Sequence, residues 1–387
     1  MSTVELNGGP VVVVGGGIIG VSLAYHLARG GYRDVTVLDR GLLGEGSTAK
    51  ATGGIRTQFA SRINAELAHA AAGYYAEFAE RVGEPFDFRR HGYLMLLSTE
   101  AQLAQFRSDV AMQRELGADV RLLAPDEITD VLPGVRTGDL VGAAYSPTDG
   151  SGSPADAVAG FARQARRLGV TFRQHTEVVG IDRDAAGRAV AVRTAAERIE
   201  AELVVNAAGP WAATVGALAG TDTPVEPHSR QAFGIAPLPG LTGDLPLAVD
   251  LGTGAYVHPE RNGGVIGGND RDTPASFDAT VNWDLTESLA AALAHRFPWA
   301  ADARITTGWA GLREMTPDDH GLVGPDPTVP GLFVLAGFSG HGFMQAPVIG
   351  ERAAAWLLGD AAAGAALAPL DPARFRAGRP LTESTVF

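Results

Sequence analysis

Ten residues near the start of the chain, VVVVGGGIIG at 11–20, limit the fold more than any other stretch. Val11–Val14 is a continuous β-branched run, as expected of a strand buried on both faces. Gly15, Gly17 and Gly20 follow at GxGxxG spacing and lead into a helix beginning at Ile18, whose rows Gly20, Ala24, Ala28 and Ile19, Leu23, Leu27 recur at i+4. Gly30 and Gly31 stop that helix, Val35–Leu38 reads as the next strand, and Asp39 closes it. Each part has a physical purpose. One glycine makes the tight turn, one lets backbone approach a pyrophosphate, and one packs helix on strand. The helix N-terminus favours the anion, and the acid can bond ribose hydroxyls. In this βαβ frame the motif points to an adenine dinucleotide, without separating NAD from FAD.

Beyond the loop GSTAKATGGIRTQF, the apolar set Ile63, Leu67, Ala71, Tyr74, Phe78 and Val82 keeps helical spacing. Residues 92–98 predict a strand and 100–116 a helix, and the stretch to about residue 145 reads as an insertion. Ser153 as N-cap, Pro154 at the first helical position and Gly169 beyond the end bracket a further helix. Strands are expected near 170–174, 177–182, 188–194 and 203–205, the last leading into NAAGPW. Residues 221–305 are rich in proline and short alternating segments, which suggests an antiparallel sheet carrying a substrate pocket. The chain then returns through GLREMTPD to a strand at Leu332–Ala336 and a helix after Gly342. The expected fold is α/β: a doubly wound, Rossmann-like domain of residues 1–85, 147–220 and 306–387, with an interleaved α+β substrate domain of residues 86–146 and 221–305 built on an antiparallel sheet.

Composition excludes several classes. At 387 residues the length favours two domains. A net charge of -13 argues against a nucleic-acid surface. With no cysteine there are no disulfides, thiolate metal sites or sulfur nucleophiles. Neither a signal peptide nor an apolar run of about 18 residues is present, so a cytoplasmic enzyme with no membrane partner is expected. GxSxG, HExxH and paired metal-ligand spacings are missing as well, and no metal is expected. Of the 31 basic residues only Lys50 is lysine.

Taken in order, the loop after Gly44, the NAAGPW segment and GFSGHGFM resemble the FAD-dependent amine oxidases and dehydrogenases of the D-amino-acid oxidase superfamily. The likeness is to the group holding sarcosine oxidase β-subunit, glycine oxidase and L-proline dehydrogenase β-subunit, and it runs through almost the whole chain. The resemblance implies FAD bound by Gly15, Gly17, Ile18, Ile19, Gly20, Asp39 and Arg40 at its ADP part. It places Gly46, Ser47, Thr48, Lys50, Gly53, Gly54 and Ile55 beside the ribityl chain and ring. Val178, Ala208, Gly209 and Trp211 form a second contact set. Gly311, Arg313 and the terminal Gly340, His341, Gly342, Phe343 and Met344 complete the site. A helix starting near Gly342 would present free N–H groups to the flavin pyrimidine edge, where reduced flavin is negative.

Some relatives fasten FAD through a cysteine and some through a histidine. Here there is no cysteine, and Lys50 stands where the histidine would fall, so a dissociable FAD is expected. The lysine's compact charge suits reduced flavin or developing superoxide. Oxygen-using sarcosine oxidases carry a lysine where this chain has Val265, which leaves the electron acceptor open.

The same resemblance implies an amine or amino-acid substrate. The Arg313 of AGLREMTPD matches the carboxylate-binding arginine of glycine and D-amino-acid oxidases, and a guanidinium fork suits that task. Arg56, in GGIR, is a second candidate. Tyr256 falls at an active-site tyrosine, and Asn269 at a histidine of sarcosine oxidases. Met344 replaces their carboxylate-binding lysine. His341 is expected to order its loop rather than abstract a proton. The expected reaction is hydride transfer from a C–N bond to flavin N5. The alternatives are oxidation of a C–OH bond or of a larger natural-product amine, or electron relay as a flavin subunit. Some relatives work as hetero-oligomers, so a homo- or hetero-oligomer is an open expectation.

Overall fold

The computed structural model describes residues 5–268, 270 and 273–383. Val11–Val14 lies inside a six-stranded sheet, flanked in parallel by Leu203–Asn206 and Val35–Leu38, with Val11 opposite both Leu203 and Val35. Thr171–Arg173 extends one side and Leu332–Ala336 the other, and Leu322–Pro325 closes the far edge antiparallel. The valine run has no polar alternation because both its faces are covered. Val11 and Val13 pack with the helices Ile18–Arg29, Pro154–Arg167 and Gly342–Leu357. Val12 and Val14 face Ile181, Val192 and Val215, from a three-stranded sheet and the helix Ala212–Leu218.

The first and last long helices cross closely. Ser22 Oγ donates to the Ala346 carbonyl at 2.9 Å, and a Cβ on Gly350 would lie 2.2 Å from that hydroxyl oxygen. The helix Gly342–Leu357 thereby buttresses the glycine-loop helix, and the N-termini of both line the cavity described below. Ser153 caps Pro154–Arg167 by accepting from Asp156 N at 3.2 Å. The helical set from Ile63 to Val82 is divided into Arg62–Ala76 and Phe78–Val82, with the break at Glu77.

The second sheet has eight strands, in the order Ile305–Met315, Glu226–Ile235, Gly263–Gly268, Ala255–Glu260, Leu247–Asp250, Tyr93–Leu97, Gly142–Ser146 and Arg121–Leu123. All neighbours are antiparallel except Leu247–Asp250 with Tyr93–Leu97. Two expectations change. Residues 306–315, placed with the nucleotide domain from sequence, pair along Glu226–Ile235 from Met315↔Glu226 to Ile305↔Ile235, so the return to the parallel sheet comes at Leu322. The stretch read as an insertion contributes three strands, and Tyr93–Leu97 is buried along its whole length. Arg296 anchors this sheet from beneath, bonding buried Asp250 at 3.0 Å and Asp139 at 2.7 and 3.0 Å. Among the described residues no helix is long and apolar enough to cross a membrane, and no cluster of His, Asp or Glu is arranged to hold a metal.

Candidate active site

A cavity of about 790 Å³ lies between the two sheets, within the range of small-molecule and cofactor sites. The glycine loop forms one end. Gly15 has φ +115°, and a Cβ there would lie 2.2 Å from the Ala207 carbonyl, so only glycine lets these two parallel-strand exits approach. Gly17, Ile18 and Ile19 line the wall at the helix N-terminus, where a phosphate is favoured. Gly20 does not line the cavity. A Cβ there would stand 2.1 Å from the Gly15 carbonyl, so its part is to let the helix pack on the loop. Asp39 faces the cavity while its two carboxylate oxygens brace the turn, accepting from Gly16 N and Gly41 N at 2.7 Å each. Arg40 lies over the Trp211 ring at 3.9 Å, closing this end together with Val178, Ala208 and Gly209.

The short helix Ser47–Lys50 joins the two domains. Thr48 Oγ1 accepts from Ile18 N at 3.1 Å, clamping the glycine turn, and Ser47 Oγ donates to the Leu312 carbonyl at 2.6 Å. The Lys50 carbonyl accepts from Trp309 Nε1 at 3.0 Å. A Cβ on Gly311 would lie 2.7 Å from Lys50 Cβ, so bare backbone at 311 is what admits the start of the lysine side chain. The Lys50 side chain is exposed and lines the cavity, as do Gly46, Gly53 and Gly54. Ile55, by contrast, is fully buried in the main hydrophobic core and does not reach the cavity; strand pairing with Gly150 turns its side chain inward.

At the opposite end the antiparallel sheet supplies a wall, and its register explains which residues converge. Tyr93 pairs with Leu247, Val249 with Tyr256, Tyr256 with Gly267, Gly267 with Ala232, and Arg230 with Gly311. Partners in register share a face, and residues two apart stay on it. Tyr93, Leu247, Val249, Tyr256, Ala232, Arg230 and Arg313 therefore all line one cavity. A Cβ on Gly267 would meet the Tyr256 hydroxyl at 2.5 Å, so the phenol lies across bare backbone. Burial raises the Tyr256 hydroxyl's pKa above its ordinary value against the lowering effect of Arg313, and pushes Tyr93 up to about 12. Both stay neutral donors at physiological pH. Asn269 lies outside the described residues.

Arg56 is buried, rests on the Phe59 ring at 4.0 Å, and donates to the Gln58 carbonyl. The segment that carries it, just beyond the strand Gly54–Ile55, is held by Asp149, which accepts from Thr57 N at 2.8 Å and Thr57 Oγ1 at 2.9 Å. His341 meets the same Phe59 ring edge-on at 4.7 Å. Burial, reinforced by Arg56, Arg313 and His320, holds its imidazole well below the ordinary histidine range, so it is neutral and weakly basic. Gly340, Gly342, Phe343 and Met344 complete this side. Residues that spacing did not single out are Tyr93, Arg230, Leu247, Val249 and Glu314. The alternation of 226–235 and 305–315 was a usable signal, but the pairing that superimposes them is long-range.

The lining fits a dinucleotide cofactor: a glycine turn at a helix N-terminus stands at one end, where a Cβ on Gly15 would close the approach, and arginines and neutral phenols stand at the other.

Comparison with known proteins places the chain among flavoproteins. The pattern of the family described as FAD dependent oxidoreductase (DAO) matches residues 10–356. The structure is similar to that of L-proline dehydrogenase from P. horikoshii, with a TM-score of 0.87 and 30% identity over 96% of this chain and 98% of that one. Glycine oxidase of Geobacillus kaustophilus is 30% identical over 88% of this chain and 90% of that protein, and its structure gives a TM-score of 0.82. FAD-dependent oxidoreductase domain-containing protein 1 of Xenopus laevis is 30% identical over 97% of this chain and 84% of that protein.

Proposed function

Since the chain belongs to the FAD dependent oxidoreductase (DAO) family, we propose that it oxidises the C–N bond of an amino acid, or of a secondary or N-alkyl amine acid, to the imine, with FAD held without a covalent bond. The observation that carries this reading is the Arg313 guanidinium on the same cavity wall as Tyr93 and Tyr256, facing a neutral His341. FAD, when bound, accepts the hydride.

The protein's own residues position the reactants and exclude water. Arg313 meets the substrate carboxylate through its planar fork, and the buried Arg56 adds positive potential at the same end. Leu247, Val249 and the tyrosine rings give an apolar wall for the substrate's carbon chain. No side chain in this group is a strong base, which suits an amine that binds neutral and needs no proton abstracted from carbon. An alcohol substrate would require such a base. Water then hydrolyses the released imine. The names of similar proteins, a proline dehydrogenase and a glycine oxidase, support an amino-acid substrate. Lys50, on the cavity wall, supplies a compact positive charge for reduced flavin, and a Lys50→Met variant is expected to lose FAD affinity or reoxidation rate.

The test is direct. Purified protein is expected to be yellow, to release FAD on acid precipitation, and to bleach anaerobically with a member of a panel of glycine, sarcosine, proline, D-amino acids and hydroxy acids. Bleaching by the hydroxy acids alone would overturn the amine assignment.

A further inference from the structure

Glu314 is the next-to-last residue of Ile305–Met315, where that strand passes from the antiparallel sheet onto the nucleotide domain. Its backbone is fixed there, the carbonyl accepting from Ser339 N at 3.0 Å. The residue as a whole is part-buried, but Oε2 is sealed from solvent and has no hydrogen-bond partner. A Cβ on Gly209 would lie 3.4 Å from Oε2, and one on Gly342 3.5 Å from Oε1. Gly209 belongs to the NAAGPW turn and Gly342 begins the last long helix, and with Glu314 they line the cavity. The carboxyl is thus wedged where three segments around the cofactor site meet. A buried polar atom left alone costs about 1–3 kcal/mol, and native proteins retain few of them.

The charge state decides what such a group can do. FAD carries a diphosphate and is rich in acceptor oxygens, so a carboxylate aimed at it is repelled while a carboxylic acid can donate. Burial pushes the Glu314 carboxyl up to about 7, against the opposing pull of the Gly337 and Phe338 amides. The other charged or titratable groups on the cavity wall are Arg313 on the same strand, Arg230 on the paired strand, Tyr93 and Tyr256 across the sheet, Lys50 on the short helix, Arg56 after it, His341 before the last helix, and Asp39, Arg40, Glu45 and Glu177 towards the glycine-loop end. None of them is among the causes of that shift.

We propose that Glu314 is a cofactor-positioning residue whose carboxylic O–H, on Oε1 rather than the sealed Oε2, donates a hydrogen bond to an oxygen of bound FAD. Glutamine keeps a donor and is neutral at every pH. Leucine keeps neither donor nor acceptor.

The test titrates FAD into full-length apoprotein of wild type, Glu314→Gln and Glu314→Leu from pH 6 to 9, following flavin fluorescence, with circular dichroism matching each apoprotein to wild type. The wild-type Kd is expected to weaken at least tenfold as pH rises and the carboxyl ionises. The glutamine variant should hold within threefold across the range, and the leucine variant should bind at least fivefold more weakly than glutamine at every pH. Equal affinity of the leucine and glutamine variants, or a wild-type Kd that does not change with pH, overturns the proposal. If leucine prevents folding, the contrast between wild type and glutamine decides alone. The inference rests on the dissociable FAD proposed above. Flavin that stays with the acid precipitate would overturn that reading and not this one, and the flavin-to-protein ratio of the as-purified leucine and glutamine variants would then decide for Glu314.

Discussion

The guanidinium of Arg313 rests against the bare backbone of Gly340: a Cβ at residue 340 would stand 2.9 Å from Nε and 3.1 Å from Cζ. Gly340 also has φ +92°, a conformation that side chains disfavour. One glycine thereby lets the GFSGHGF turn close over the proposed carboxylate anchor.

Gly340→Ala is expected to displace the guanidinium and to strain the turn, costing about 1–2 kcal/mol of stability. KM for an acid substrate should rise about tenfold or more, a loss of roughly 1.4 kcal/mol in binding. Steady-state kinetics with an artificial acceptor, beside thermal unfolding, measure the two effects. An unchanged KM would detach Arg313 from the substrate.

Removing the anchor itself tests the same assignment more sharply. Arg313→Met should reduce kcat/KM for the acid by about 2–4 kcal/mol, while Arg313→Lys recovers part of it as a point charge without the fork. The preference for the acid over the matching amine without a carboxylate should collapse in the methionine variant. If that preference survives, the carboxylate is bound elsewhere.

Asp149, which braces Thr57 beside Arg56, has its carboxyl raised by burial to about 6 from 3.8. A carboxyl whose pKa rises on folding contributes its full stability below the unfolded value and loses it as pH climbs through the native value. Asp149→Asn can keep both Thr57 bonds if that hydroxyl turns to accept. Between about pH 4 and 7, wild type should therefore lose roughly 2–3 kcal/mol of stability relative to this variant. Urea unfolding at a series of pH values provides the comparison, and parallel curves would falsify the raised pKa.

Arg296 is 1% exposed and pairs with Asp250, which has no exposed surface, so Arg296→Met leaves a buried carboxylate without its cation. The expected cost is about 3–5 kcal/mol. Arg296→Met with Asp250→Leu should recover much of this if the lone charge, rather than lost packing, is responsible. Chemical denaturation of the single and double variants separates the two.

The legible part of this fold is the part whose physics is local. The valine strand, the glycine turn, the helix rows from Ile18 and the Ser153 cap each depend on neighbours a few residues away. They appear where spacing placed them. The GFSGHGFM turn and the Ser47–Lys50 loop were found through resemblance, and they line the cavity with the glycine loop. Ile55 was misplaced because a motif shows that a residue lies near a site, not which way its side chain points; Gly20 is no cofactor contact, but it has the helix-packing part the motif gives one of its glycines. One-residue alternation in a strand sends Ile55 into the core, and helix packing absorbs Gly20.

By itself the sequence determined an adenine-dinucleotide site, through the glycine turn with Asp39, and the missing cysteine removed thioether attachment; the resemblance carried by the loop after Gly44, NAAGPW and GFSGHGFM narrowed the dinucleotide to FAD. Only the tertiary structure decided what surrounds the reacting end. Tyr93, Val249, Tyr256, Arg230 and Arg313 come from five strands, and they meet because antiparallel and parallel registers align them on one face. Register depends on hydrogen bonds between segments as far apart in sequence as Tyr93 and Leu247, and a single-residue slip would turn each of these side chains away. Glu314 is the clearest case. In sequence it is an ordinary acid after an arginine. Its buried, unpartnered oxygen beside Gly209 and Gly342 exists only because the fold draws those three segments together.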